Sequence, residues 1–405
     1  MRNTLVPCLA LISLSQLLLH ADAVTEANAR ACAIVSVRTP PGPSRRVLAV
    51  VQTSVFEAVN AITARYGEHR LDLGSAPGAS VEAAVFAATR TALLGLIPAD
   101  KAAIEAWYGE ALSKLPDGPP RAEGIALGER AAAGVLALRA QDGAMVPETY
   151  RPQTTPGVYV PTVIPAAPQW PGRKPWLMVS ASQFRPGPPP TLASETWAHD
   201  FNEVKARGGK ASTQRSQEQT VIGKFWEDNS SAIYFGVLRS LAEVPGRDIT
   251  DNARLYEITA IALDDAIIAV FDAKYAYRFW RPLTAIRNGD VDGNDATERE
   301  PGWSPLIETP MHPEYPCAHC ILAATLAEVV DAALPKDQPV RLSTSSLTLP
   351  GVVRSWTSTA ALVEEVSNAR VWSGVHYRNS TRVGEAMGHQ VGRLAARQLS
   401  ASRRP

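Results

Sequence analysis

Residues 46–62 read RVLAVVQTSVFEAVNAI, and within them Leu48, Val51, Val55, Val59 and Ile62 recur at spacings of three and four. A single apolar stripe at that period belongs to an amphipathic helix that packs on a core. Outward from it the same texture predicts helices over 80–96, 100–114 and 121–141, the last stopped by Asp142-Gly143. Helices resume over 193–206, 214–243, 248–277, 317–334, 357–372 and 380–399. No period-two alternation lasts long enough to predict a sheet. The chain reads as all-α, a large helical bundle without internal repeats.

Three regions follow a leader: an N-terminal helical region (24–146), a Pro-rich connector (147–192) and a C-terminal helical region (193–405) that carries the site derived below. The connector holds the run Pro186-Gly187-Pro188-Pro189-Pro190 together with Tyr150, Tyr159, Trp170, Trp176 and Phe184. A solvated linker seldom carries so many aromatics, so this segment is expected to pack over the helices as an ordered strap.

Across 405 residues, 40 Lys+Arg balance 40 Asp+Glu, which gives no electrostatic ground for a nucleic-acid partner. A hydrophobic content of 45% with 20% charged residues is that of a globular enzyme. Arg2, the apolar run Leu5–Leu19 and the small-x-small triplet Ala21-Asp22-Ala23 form a signal peptide over residues 1–23. Cleavage is expected after Ala23, delivering the chain to the periplasm or the exterior. The run is interrupted by Pro7, Ser13, Ser15 and Gln16 and falls short of the roughly 20 residues of a spanning helix. No membrane span is expected in the mature chain. Cys8 leaves with the leader, and the remaining three, Cys32, Cys317 and Cys320, exclude a disulfide scaffold.

Four of the seven histidines, His312, His319, His376 and His389, fall in the last quarter of the chain. Residues 274–282, KYAYRFWRP, put Lys274 and Arg281 at and just beyond a helix end that Pro282 prevents from continuing. Either cation alone would simply complement the helix dipole. Residues 312–320, HPEYPCAHC, run into a helix start whose free N–H groups favour an oxyanion. Residues 370–378, RVWSGVHYR, add Arg370 and His376. Three cations, a helix N-terminus and two histidines together describe a pocket for a tetrahedral or trigonal-bipyramidal oxyanion.

The three segments, Lys274 to Arg281-Pro282, Pro316 to His319 and Arg370 to His376, resemble in order and spacing the signature of the vanadium-dependent haloperoxidase and type 2 phosphatidic acid phosphatase superfamily. RRVLAVVQTSVFEAVNAI, SQFRPGPPP at 182–190 and HPEYP resemble its larger, haloperoxidase-type members. The resemblance implies that His376 ligates vanadium at the apex, or takes a phosphoryl group in a phosphatase. It implies that Lys274, Arg281 and Arg370 hold the equatorial oxygens with Cys317 and the Ala318 N–H, and that His319 is the acid/base. His376, His319 and Lys274 are thereby the catalytic set, and vanadate, or phosphate in the alternative, is the bound group.

At three positions this chain departs from the family: Cys317 replaces the usual Ser, Ala318 the usual Gly, and Ser380 the usual Asp four residues after the ligand histidine. Cys317 and Cys320 also form CxxC, which alone suggests thiol redox chemistry but lacks a thioredoxin-like βαβ context. A disulfide between them stays open in an oxidising compartment. His389 reads as structural or surface. His312, five residues before Cys317, resembles the histidine of bromide-oxidising members, where chloride-oxidising ones carry phenylalanine.

Three functions follow from the resemblance. The first is a haloperoxidase acting on hydrogen peroxide and halide, with bromide and iodide preferred. The second is an exported acid phosphatase acting on small phosphate esters through a phosphohistidine at His376. The third is a degenerate, non-catalytic oxyanion binder. Export, the extent of the resemblance and HPEYP favour the first.

Overall fold

The structure, a computed structural model, describes residues 22–401 except 68, 162, 243–246 and 335–340. Its α-helices are, in order, α1 (Ala23–Arg38), α2 (Pro41–Thr63), α3 (Val81–Leu96), α4 (Lys101–Ser113), α5 (Pro119–Leu138), α6 (Glu195–Gly208), α7 (Gln217–Phe225), α8 (Ser231–Ala242), α9 (Ile249–Tyr277), α10 (Pro282–Arg287), α11 (Ala318–Ala333), α12 (Thr359–Trp372) and α13 (Arg378–Ala401). The all-α bundle expected from the periodicity is the architecture found. Among the described residues no single helix is long and apolar enough to cross a membrane, although α3 and the stretch Pro98–Ser113, bent by 119°, pass that test as a pair.

Four features depart from the sequence reading. Helix α1 was not expected, because its stripe is built largely of alanines that carry little periodic contrast. Its N-cap Asp22 accepts the Thr25 N–H at 2.8 Å and the Asn252 amide at 2.7 Å, so a cut after Ala23 would remove the cap. Residues 1–21 of the expected leader lie outside the described residues. The helix expected over 214–243 is two, because Asp228 accepts the Ser230 N–H at 2.7 Å and the Leu347 N–H at 2.8 Å and turns the chain between α7 and α8. The short α10 was also unforeseen. Finally, β1 (Leu342–Ser345) and β2 (Val353–Trp356) form an antiparallel hairpin whose four-residue strands are too short for alternation to register.

Helix α9 is the axis of the bundle, buried at every position from Thr250 to Lys274. Its acidic residues are matched. Asp264 takes Arg173 at 2.6 Å, Asp265 takes the N–H groups of Trp176, Leu177 and Met178 at 2.7–2.9 Å, and Asp272 takes Arg185 at 2.7 Å. All of these partners belong to the Pro-rich segment, which therefore lies ordered along α9 as a strap. Burying those carboxylates without such partners would cost several kcal/mol each.

At the C-terminal end of α9 the packing sets up the site. Gly384, Gly388 and Gly392 put one bare stripe of α13 against α11, where a Cβ would lie 2.6 Å from the Cys317 carbonyl, 2.4 Å from that of Ile321 and 2.8 Å from that of Thr325. The two helices can approach this closely only because the stripe has no side chains. A second cluster, of aromatic residues, flanks the same region: Trp197 stacks on Trp280 at 5.8 Å and meets Tyr377 edge-on at 5.1 Å. Each such buried ring contributes about 1.5–3 kcal/mol, and together they immobilise the chain on either side of Arg281 and His376.

Candidate active site

Three helix ends converge here. Arg278, in the left-handed conformation (φ 53°), caps α9 by donating its N–H to the Lys274 carbonyl at 2.8 Å, and the chain then turns to Arg281, the N-cap of α10. Cys317 is the N-cap of α11, its sulfur accepting the Cys320 N–H at 3.3 Å. After α12, Gly374 at φ +79° reverses the chain so that the Val375 and His376 N–H groups both return to the Arg370 carbonyl at 3.3 Å. A Cβ at Gly374 would sit 2.3 Å from the Gly208 carbonyl, so glycine is required there on two counts.

All the residues expected at the site are brought together and buried. Lys274 is 0% exposed, Arg281, Arg370 and His376 are 1% exposed, and His319 is 4% exposed. Lys274 Nζ donates to the carbonyls of Pro313 (2.9 Å), Glu314 (2.7 Å) and Pro316 (2.5 Å). Its three N–H groups thus brace the 313–316 turn, and what it offers the pocket is charge. Arg281 donates to the His312 carbonyl (2.9 Å) and the Val375 carbonyl (2.8 Å), and its guanidinium meets His312 Nδ1 at 2.9 Å and His376 Nε2 at 3.2 Å. Arg370 Nη1 donates to the Trp226 carbonyl, while its Nε has no partner among the described residues.

Burial, reinforced by crowding among the cations, pulls Lys274 well below its ordinary range and Arg281 down to about 10. The same burial, followed by the neighbouring cations, holds His312, His319 and His376 well below their usual value, so each is a neutral imidazole. His319 lies beside the Asp228 main chain, and its Nε2 has no partner among the described residues. Burial opposes ionisation of Cys317, but its contacts with Cys320 and the charges of Arg370 and Lys274 hold the thiol below its ordinary value. Cys32, Cys317 and Cys320 are all free and buried, and Cys317 and Cys320 are not joined.

Sequence reasoning passed over three contributors. Arg45 of α2, also 1% exposed, donates to the Asn229 carbonyl and side chain at 2.9 Å and adds to the positive field on His319. The Asp228 turn brings its main chain beside His319. Glu314, fully buried, takes the His376 Nδ1–H at 2.7 Å and the Tyr377 N–H at 3.1 Å. Burial pushes its carboxyl up to about 7, against the pull of Lys274 and Arg281. The signal for Glu314 was its place inside HPEYP, and no periodicity could have supplied it. His389 lies apart, 41% exposed and paired with Glu328 at 2.8 Å, as expected of a surface residue.

The residues fit an oxyanion. Lys274, Arg281 and Arg370 are buried with Glu314 as the carboxylate among them, while Arg45 is offset by the buried Asp228 and Asp264, and the unsatisfied nitrogens of His319 and Arg370 are the atoms such a group would engage. A separate cluster, His199, Asp200 and Glu203, has the opposite sign and suits a cation. Its carboxylates serve the start of α13, Asp200 taking the Asn379 N–H at 2.8 Å and Glu203 taking Arg378 at 2.7 Å.

The chain is similar in sequence and in fold to known proteins. Residues 254–404 match the family described as the VCPO second helical-bundle domain. Vanadium chloroperoxidase of Curvularia inaequalis is 29% identical over 177 residues, covering 35% of this chain and 28% of that protein. A bacterial vanadium-dependent iodoperoxidase structure superimposes with a TM-score of 0.77 at 21% identity, covering 93% of this chain and 95% of that one. A holo-type bacterial vanadium-dependent chloroperoxidase gives 0.70 at 16% identity, covering 90% and 93%.

Proposed function

We propose that this chain, which belongs to the vanadium-dependent haloperoxidase superfamily, is itself a vanadate-dependent haloperoxidase that uses hydrogen peroxide to oxidise bromide and iodide in preference to chloride. One observation carries the reading: buried cations outnumber buried carboxylates around a neutral imidazole nitrogen. Charge of that kind is costly to bury unless an anion completes it.

In this reading His376 Nε2, Arg281, Arg370, the first-turn N–H of Ala318 and the Cys317 side chain would hold vanadate, and Lys274 would add charge from behind the 313–316 turn. Bound vanadate would supply Lewis-acid activation of peroxide. His319, neutral and with a free Nε2, would hold or return a proton of incoming peroxide at that atom. The aromatic cluster around Trp197, Trp280 and Tyr377 shields one flank from water, which strengthens every charge interaction inside. The leader read in residues 1–23 supports an exported enzyme.

The test compares halide oxidation by peroxide after loading with orthovanadate against phosphate-ester hydrolysis without it. Bromide or iodide oxidation that depends on vanadate is expected. Hydrolysis alone would assign the pocket to a phosphatase, with His376 as nucleophile. Arg370→Ala should cost about 2–5 kcal/mol of oxyanion affinity, whereas Arg378→Ala, whose cation pairs with Glu203 outside the pocket, should change it little.

A further inference from the structure

We infer that Glu314 is the positioning residue that fixes the tautomer of His376 and so keeps the lone pair on Nε2, which Arg281 meets in this structure, available as a ligand. The inference rests on the vanadate reading above. A guanidinium carries only donors, so His376 Nε2, 3.2 Å from Arg281 Nη1, must hold a lone pair. The ring proton is then on Nδ1, where Glu314 Oε1 receives it at 2.7 Å. The carboxylate is itself held: the Tyr377 N–H reaches the same oxygen at 3.1 Å, and Lys274 Nζ grips the Glu314 carbonyl at 2.7 Å. Glu314 is 0% exposed, so no water competes for the pair.

The position four residues after His376 is Ser380, which cannot receive that proton as a carboxylate would, and its hydroxyl lies beside the Glu314 carboxylate. The carboxylate is thus delivered from the turn before α11 instead of from α13. A carboxylate on the far nitrogen also raises the basicity of the near one.

Glu314→Ala should release the constraint and let the imidazole populate both tautomers. Histidine 15N spectra of the full-length protein without added oxyanion, with the His376 signal assigned by its loss in His376→Ala, should show a protonated Nδ1 and a bare Nε2. In Glu314→Ala the two nitrogens should move toward averaged shifts. By calorimetry, orthovanadate affinity should fall about 10- to 100-fold, while inorganic phosphate, held by the cations without a bond to nitrogen, should bind as before or more tightly. Glu314→Gln keeps the shape and one acceptor oxygen and should lose only a few-fold in vanadate affinity. Glu314→Ala/Ser380→Asp should recover much of the loss. Equal weakening of both anions, or an unchanged tautomer with unchanged vanadate affinity, would overturn the proposal. Should the unsubstituted protein bind no vanadate, the function reading fails while the 15N spectra still report on Glu314.

Discussion

Gly388 of α13 lies against the main chain of α11, 2.4 Å from the Ile321 carbonyl as measured from the position a Cβ would occupy. No real Cβ tolerates that distance, so Gly388→Ala must push the two helices apart. The substitution gains about 1 kcal/mol of helix propensity, yet overpacking of this kind typically costs about 1–3 kcal/mol. The expected outcome is a net loss of stability in denaturant melts. Gly109 on α4, with nothing within 4 Å of its Cβ position, is the control: Gly109→Ala should stabilise. Gly384→Ala, pressing on the Cys317 carbonyl, should also weaken oxyanion binding.

That stripe marks the limit of what was legible in the sequence. The helices around RVLAVVQTSVFEAVNAI and the three cation and histidine segments were readable because periodicity and spacing are local. GEAMGHQVG at 384–392 holds glycines every four residues, but their meaning depends on which helix lies opposite. Glu314 is similar. Its role comes from a partner 62 residues away, and HPEYP marks its place without announcing that partner. The Asp228 turn was readable in principle, since Asp-Asn-Ser-Ser favours a turn, but the apolar residues on both sides read as one continuous helix.

Cys317 holds the position of the family's hydroxyl while capping α11 through sulfur. A hydroxyl is the better donor and a better helix cap. Cys317→Ser should therefore preserve or raise oxyanion affinity without loss of stability. Thiol titration of the denatured mature protein should count three free thiols. A count of one would mean that Cys317 and Cys320 pair, and Cys317→Ser would then destabilise.

His319 links pH to stability with a definite sign. Its folded value is depressed by burial and by Arg370 and Arg45, so below pH 6.5 the unfolded chain binds a proton that the folded chain refuses. The stability it permits is present above 6.5 and is lost as pH falls toward the folded value, at about 1.4 kcal/mol per unit. Glu314, raised to about 7, works in the opposite direction between its unfolded value and 7. Its share is removed by comparing variants. Denaturant melts of wild type and His319→Gln at pH 7.5 and 5.5 should show the wild type losing more stability on acidification. Parallel losses would mean that His319 titrates normally.

In the proposed vanadate reading, halide choice is expected to turn on His312 and its hold on Arg281. The neutral ring accepts one guanidinium N–H at 2.9 Å and packs on Phe271 with ring centres 5.2 Å apart. A donor spent on His312 is a donor withheld from the oxyanion, which in that reading would keep the activation of peroxide moderate. Bromide and iodide, easier to oxidise than chloride, are then the expected substrates. His312→Phe keeps the ring against Phe271 and returns the N–H to the pocket, so it should raise chloride turnover relative to bromide. The Arg281 contact to the His312 carbonyl, also 2.9 Å, is main-chain and should survive the change. Steady-state rates with each halide at matched peroxide and mildly acidic pH decide the matter. Chloride turnover equal to bromide in the wild type, or an unchanged ratio in His312→Phe, would remove His312 from the selectivity argument and leave Arg281 with a purely electrostatic role.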